Sequence, residues 1–319
     1  MKGVAWLCAG VAVCGVSVVG AGARQAPQDD AVFRAASDLV LVPASVTDQG
    51  GHFVPNMTPN DFLLFEDDAP RPIAQFTAER VPLSVGIVLD ASGSMQGDRI
   101  AVARFALQQF VGLLEPGDEI FLQTFAERSK LVLPWTTRLC DLDLAMDTVD
   151  PYGGSAMFRA VSDAYGALTK GQHVRKALVL LSDGNDNERS AIPLRLGSGS
   201  TRDDALTIRR LQAAVGQAQR SGTVVYAIGL GSERGNGDER IDSAKLRRLT
   251  DPTGGYTEVV ESVFSVPGAM MRIAADLRQQ YLVGFQSVAQ GDGRTHRIRL
   301  AARNERLRVR ARTVFVAGR

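Results

Sequence analysis

The chain has 319 residues, of which 45% are apolar and 22% charged, with 36 Lys and Arg against 35 Asp and Glu. That length and balance describe a folded chain with one large domain or two, and exclude a disordered or low-complexity protein. A formal charge of +1 gives no long-range attraction to nucleic acid, and none is expected as a partner.

Lys2 precedes an apolar stretch, Val4 to Val19, that ends in Ala21-Gly22-Ala23. A positive start, an apolar middle and a small-x-small end predict a secretory signal over residues 1–23. The run is too short and too rich in Gly and Ala for a membrane anchor. Cleavage after Ala23 removes Lys2 and no acid, so the formal charge falls from +1 to 0. Cys8 and Cys14 leave with the signal, and Cys140 is then the only cysteine, which excludes an internal disulfide. No later stretch reads as a membrane span. The chain is therefore expected to be exported, to the periplasm or outside the cell.

Residues 24–36 read as a loose polar leader. Asp38 to Val46 predicts a strand, followed by a turn at Asp48-Gln49-Gly50-Gly51. Asp61 to Asp68 predicts a second strand and Ile73 to Thr77 a third. Glu66, Asp67 and Asp68 read as a solvated acidic turn. No helical period occurs before residue 95, so residues 24–81 are expected to form a small β segment.

The pattern then changes. Leu83–Leu89 predicts a buried strand, and Asp98–Leu114 a helix with Ile100, Ala103, Phe105, Leu107, Phe110 and Leu114 as its buried stripe. Pro116-Gly117 stops it. Glu119–Phe125 and Leu131–Trp135 suit a hairpin pair, with Trp135 packed at the sheet edge. Short helices are expected at Leu142–Val149 and Asp242–Leu249, and longer ones at Met157–Leu168, Asp204–Arg220 and Pro267–Leu277. Strands are expected at Ala177–Leu181, Thr223–Ile228 and Tyr256–Val260, with a polar stretch from Gly184 to Asp203. Strands alternating with helices over residues 82–278 predict an α/β domain with a mostly parallel sheet covered on both faces.

Residues 279–319 return to β character. Gln280–Gln286 is one strand, and the turn Gly291-Asp292-Gly293 joins two alternating segments. From Arg306 to Arg312 every second residue is Arg, which predicts one cationic and one apolar face. Residues 294–319 hold nine Arg against one acid, Glu305. That density suits a charged edge that resists strand-to-strand aggregation. It also suits contact with an anionic envelope surface. β segments on both sides of an α/β middle predict one small β domain made from both ends, with the α/β domain inserted into it or flanked by it.

Asp90 ends the apolar strand Leu83–Leu89, and Ser92 and Ser94 follow at alternate positions around Gly93. Asp183 follows a second apolar run, Ala177–Leu181, in the turn Ser182-Asp183-Gly184. Tyr152-Gly153-Gly154-Ser155 precedes a helix and adds a third hydroxyl. Open parallel sheets place ligand sites beyond the carboxyl ends of their strands, where both aspartates fall. Two carboxylates and three hydroxyls form an all-oxygen set that suits a hard cation such as Mg2+, with Mn2+ and Ca2+ as alternatives. A site with so little protein charge leaves the cation attractive to an incoming carboxylate.

Asp90-Ala91-Ser92-Gly93-Ser94 resembles the Asp-x-Ser-x-Ser signature of the von Willebrand factor type A family. Gly153-Gly154-Ser155 stands where that family has a Gly-Gly-Thr-type loop, and Ser155 keeps the hydroxyl of the expected Thr. Ser182-Asp183-Gly184 is similar to the third motif, and the order of the three is the family's. The resemblance covers about residues 82–278. It implies a Rossmann-like fold with a metal-ion-dependent adhesion site. In such a site Ser92, Ser94 and Ser155 touch the metal, and Asp90 and Asp183 act mostly through water. The flanking stretches LVLVPASVTDQGG, DFLLFEDDAPRPIAQF and LRQQYLVGF resemble a group of exported bacterial von Willebrand A-like proteins, for which no catalysis is implied.

His52, His173 and His296 are scattered and set up no Ser-His-Asp arrangement, and Ser94 lies in no Gly-x-Ser-x-Gly elbow. The expected function is therefore a metal-dependent protein-binding module of the cell envelope, serving adhesion or scaffolding. Its partner would be a protein that offers an Asp or Glu to the metal. A metal-dependent hydrolase is the alternative, but no general base stands out near the metal loops. A structural module with a vestigial site is the other.

Overall fold

A computed structural model describes residues 39–138, 140–183, 199–234, 241–289 and 291–317. The expected signal and leader, and Gly184, Asp186 and Glu188 of the polar stretch, lie outside the described residues. The described chain opens with β1 (Leu39–Thr47), β2 (Phe62–Glu66), β3 (Ala69–Arg71) and β4 (Gln75–Thr77). There follow β5 (Leu83–Asp90), α1 (Asp98–Gly112), β6 (Glu119–Phe125), β7 (Ser129–Thr136), α2 (Asp141–Asp147) and α3 (Met157–Leu168). Then come β8 (Arg175–Ser182), α4 (Gly199–Ser221), β9 (Val224–Leu230), α5 (Ser243–Thr250), β10 (Thr257–Val260) and α6 (Val266–Arg278). Four strands close the chain: β11 (Tyr281–Gln286), β12 (Thr295–Ala302), β13 (Arg308–Ala311) and β14 (Val314–Val316).

Every residue of β5 is buried, which explains its unbroken apolar sequence. It lies in a six-stranded sheet of order β10-β9-β8-β5-β6-β7. All neighbours in it run parallel except β7, which pairs antiparallel with β6 at the edge. Val85, Ile87 and Leu89 point to one face and pack with Leu107 and Phe110 of α1 and Met270 and Ile273 of α6. Val88 points to the other and packs with Phe158 and Val161 of α3 and Leu211 of α4. Gly86 makes room on that second face, since a Cβ there would come within 2.5 Å of the Phe121 ring. Trp135 packs edge-on against Phe121 on β6, and its indole N–H donates to the Ala167 carbonyl at 2.9 Å.

The remaining strands form two antiparallel four-stranded sheets, β13-β1-β11-β4 and β14-β12-β2-β3. Each sheet mixes strands from before and after the α/β part. Val42, Ala44, Phe62, Leu64, Tyr281, Phe285, Ile298 and Phe315 fill the core between them. The fold is thus α/β, with a mostly parallel sheet flanked by helices and a small β part built from the chain on either side.

Four local expectations need correction. Phe105 is 51% exposed. The buried stripe of α1 runs through Ala103, Ala106, Leu107, Phe110 and Val111, and Phe105 lies about 200° around the helix from Leu107. The second strand ends at Glu66 and not at Asp68, and Asp67 and Asp68, exposed as expected, adopt positive φ, 47° and 66°, in a two-residue turn to β3, a strand the sequence pattern does not predict. Glu66 is not solvated. It is 1% exposed and bonds to Arg71 at 2.7 Å and to the Ser287 hydroxyl. The segments around residues 291–293 do not form a hairpin either, because β11 pairs with β1 and β4 while β12 pairs with β2 and β14.

Candidate metal centre

β5 delivers Asp90 to the carboxyl end of the sheet with its side chain fully buried. The chain then turns back on itself. The Ser92 N–H donates to Asp90 Oδ1 at 2.9 Å, and a short 3-10 turn, Gly93–Met95, follows. Met95 is wholly buried and pins that turn to the core, which leaves Ser94 exposed at the surface. The Ser92 and Ser94 hydroxyl oxygens lie 3.1 Å apart.

Two backbone bonds tie this turn to the loop before α3. The Gly93 N–H donates to the Gly153 carbonyl and the Tyr152 N–H to the Ala91 carbonyl, each at 2.9 Å. Gly153 has φ +67°, a conformation that glycine adopts without strain. Beyond it the buried Ser155 donates its hydroxyl to Asp90 Oδ2 at 3.2 Å.

β8 runs parallel to β5 and brings the third loop alongside. Ser182 donates to Asp90 Oδ2 at 2.7 Å. Asp183, 1% exposed, accepts a hydrogen bond from the Ser94 hydroxyl and lies 3.4 Å from Arg99 Nη1. Asp90, Ser92, Ser94, Ser155 and Asp183 are thus joined in one network. Ser182 and Arg99 belong to it as well. Ser182 lies next to Asp183 in the Ser182-Asp183-Gly184 motif. Arg99, one residue into α1, carried no sequence signal.

Burial, and then the charge of Asp183, push the Asp90 carboxyl up to about 6. Hydrogen bonds from Ser92 and Ser182 work against that rise. A buried carboxylate beside a second carboxylate is the arrangement that a divalent cation relieves. The donor set fits a hard cation, since it consists of carboxylate and hydroxyl oxygen. Among the described residues no three His, Cys, Asp or Glu converge, so hydroxyls make up the rest of the set.

A cleft of about 220 Å3 opens beside the turn, lined by Ala91, Phe125, Arg128, Lys130, Val149 and Tyr152 among others. Tyr152 is 60% exposed on its rim.

Residues 85–185 match the sequence profile of the von Willebrand factor type A domain. The central part of this chain is a von Willebrand factor type A domain. The match runs from β5 to just past Asp183 and so contains all five candidate residues. The chain is 29% identical over 139 residues to an uncharacterised protein of Synechocystis sp., covering 41% of this chain and 32% of that protein. It is 24% identical over 233 residues to a UPF0353 protein of Mycolicibacterium paratuberculosis, covering 66% of each. The chain thus spans about a third of the length of the first relative and just under two thirds of the second. A solved von Willebrand factor type A structure from Catenulispora acidiphila aligns over 88% of this chain and 72% of its own, with a TM-score of 0.50 and 14% identity. That likeness is one of fold.

Proposed function

We propose that the von Willebrand A domain holds a divalent cation, Mg2+ in the first place, and captures a protein partner through a carboxylate of that partner. Ser92, Ser94 and Ser155 would hold the cation, with Asp90 and Asp183 behind them. When bound, the cation supplies an electrophilic position for an Asp or Glu side chain. The observation that carries the reading is the single network joining two buried carboxylates to hydroxyls from three loops. Both oxygens of Asp90 already accept hydrogen bonds, which suits a positioning role better than that of a general base. We therefore read the site as one of binding and not of catalysis.

Arg128 and Lys130, in the adjoining cleft, favour a partner with further acidic groups next to the captured one. Tyr152 offers it an exposed aromatic contact. We read this binding as adhesion or scaffolding in the cell envelope or beyond it, a reading that the signal-like residues 1–23 support. Among the described residues no helix is long and apolar enough to cross a membrane. The exposed Arg294, Arg306 and Arg308 would add contact with an anionic envelope surface, weakened by salt.

Titration calorimetry with Mg2+ tests the metal. Asp90→Ala and Asp183→Ala should each abolish binding while far-UV circular dichroism stays native, and unchanged affinity in both would overturn the reading. A pull-down from envelope extract, with Mg2+ against chelator, tests the capture. Mn2+ and Ca2+ run in parallel rank the metals.

A further inference from the structure

The β part and the α/β part meet around a cavity of about 300 Å3. β1, β11, β14 and the C-terminal end of α4 wall it. Leu41, Leu282 and Phe315 contribute apolar surface, and Arg220 and Arg312 contribute charge. The cavity lies far from the candidate metal centre. Arg175, on its wall, begins β8, whereas Asp183 follows the end of that strand. Eight residues of strand put roughly 25 Å between the two.

Arg312 is the unusual residue here. Its Nε is buried and has no hydrogen-bond partner. Among the described residues the ion pairs of neighbouring arginines go elsewhere, Arg297 to Asp68 and Arg310 to Asp276. Burial alone pulls the Arg312 guanidinium down to about 10. Burial acts on Arg310 too, but there Asp276 and Tyr226 outweigh it. A Cβ at Gly222 would come 3.0 Å from Arg312 Nη1, so this glycine, with φ +65°, lets the guanidinium lie against the end of α4. The carbonyls at that helix end offset part of its charge. They leave the Nε–H without an acceptor, and a buried donor without a partner is costly.

A guanidinium presents a planar fork that matches the two oxygens of a carboxylate. The wall is mostly polar, but Leu41 and Leu282 give it an apolar patch that suits a short hydrocarbon body, and the volume is at the small end of ligand sites. We propose that this cavity binds a small amphiphilic carboxylate, its carboxylate on Arg312 and its hydrocarbon body against Leu41, Leu282 and Phe315. Nothing in this depends on the metal centre.

Octanoate is the probe, applied to the full chain in the presence of chelator. It should bind saturably by calorimetry and raise the melting temperature, while octanol and inorganic phosphate should each bind at least tenfold more weakly. Arg312→Gln should abolish octanoate binding. Arg312→Lys, which keeps the charge and loses the fork, should weaken it at least tenfold and serves where the glutamine variant does not fold. The proposal is overturned if the wild-type chain does not respond to octanoate, if octanol or phosphate binds as well as octanoate, or if either folded variant binds like wild type.

Discussion

The Ser94 hydroxyl donates to the Asp183 carboxylate across 89 residues of chain. Asp90 receives Ser155 from 65 residues away and Ser182 from 92. Parallel pairing of β5 with β8 makes these contacts short, because it brings the two strand ends to the same edge. Asp90, Ser94, Ser155, Ser182 and Asp183 therefore each couple two loops, while Ser92 bonds within its own turn. Ser94 is the exposed one, so its loss should affect binding more than folding. Ser94→Ala should weaken Mg2+ binding about tenfold or more in calorimetry and shift the melting temperature in chelator by less than about 3 °C.

Asp90 keeps a carboxylate in a place that burial and Asp183 both make unfavourable. Asparagine fills the same volume without the charge. Its Oδ1 can accept from the Ser92 N–H, and the Ser155 and Ser182 hydroxyls can rotate to accept from its amide. In chelator at pH 7, Asp90→Asn should therefore be more stable than wild type by on the order of 1–2 kcal/mol. The same variant should lose the thermal shift that Mg2+ gives wild type. A destabilised variant that still responds to Mg2+ would show that the site is not spending stability on cation binding.

Arg99 places a positive charge 3.4 Å from Asp183 and is about a third exposed. A unit charge at that range, partly in water, is worth about 1 kcal/mol. Removing it makes the site more negative. Arg99→Ala should tighten Mg2+ binding roughly fivefold at low salt, and high salt should narrow the gap. Weaker binding in the variant would mean instead that Arg99 orients the carboxylate.

Much of this centre was legible because apolar strands broke off at polar turns. Asp90 and Asp183 ended such runs, and alternate serines around a glycine marked the turn between them. The parallel order of the sheet followed from strands alternating with helices. Arg99 was not legible, since an arginine in the first turn of an amphipathic helix ordinarily faces water. Phe105 misleads for the opposite reason, because it is apolar while its angle on the helix turns it to solvent. Glu66 looked like part of a solvated turn because its partners, Arg71 and Ser287, come from an adjacent strand and from the far end of the chain. The alternating arginines of β13 read as a cationic face, yet Arg310 turns toward the α/β part. Pairings between distant segments leave no local pattern to read.

Arg310 joins β13 to that part. It bonds to Asp276 of α6, donates to the Gly254 carbonyl at 3.0 Å and lies 4.7 Å over the Tyr256 ring. Asp276 also accepts from the Tyr226 hydroxyl at 2.6 Å, which in turn accepts from Gln280 at 2.8 Å. Truncating Arg310 leaves a mostly buried carboxylate with one neutral donor. Arg310→Ala should cost about 2–3 kcal/mol in urea denaturation. Arg310→Lys should recover less than half, because an ammonium cannot bond to both acceptors with the same planar fork.

His296 sets a pH dependence within the β part. Its Nδ1 lies 2.7 Å from Asp67 and its Nε2 3.1 Å from Asp292, and its ring packs on Phe315. Hydrogen bonds to Asp67 and then Asp292 hold the imidazole above its usual range. Backbone N–H groups, of Arg297 for Asp67 and Arg294 for Asp292, and the histidine itself hold both carboxyls below theirs. A raised histidine stabilises the fold fully below its unfolded value, about 6.5, and that stabilisation is lost as pH rises through the folded value. The lowered carboxyls act in the other direction, stabilising above about 4 and losing that as pH falls. The cluster therefore contributes most between about pH 4 and 6.5. Partial burial of the ring works against that rise without reversing it. His296→Gln should be less stable than wild type at pH 6, and at pH 9 the difference between their urea midpoints should fall by at least half. A gap of equal size at both pH values would show that the ring acts through its packing on Phe315 and not through its charge.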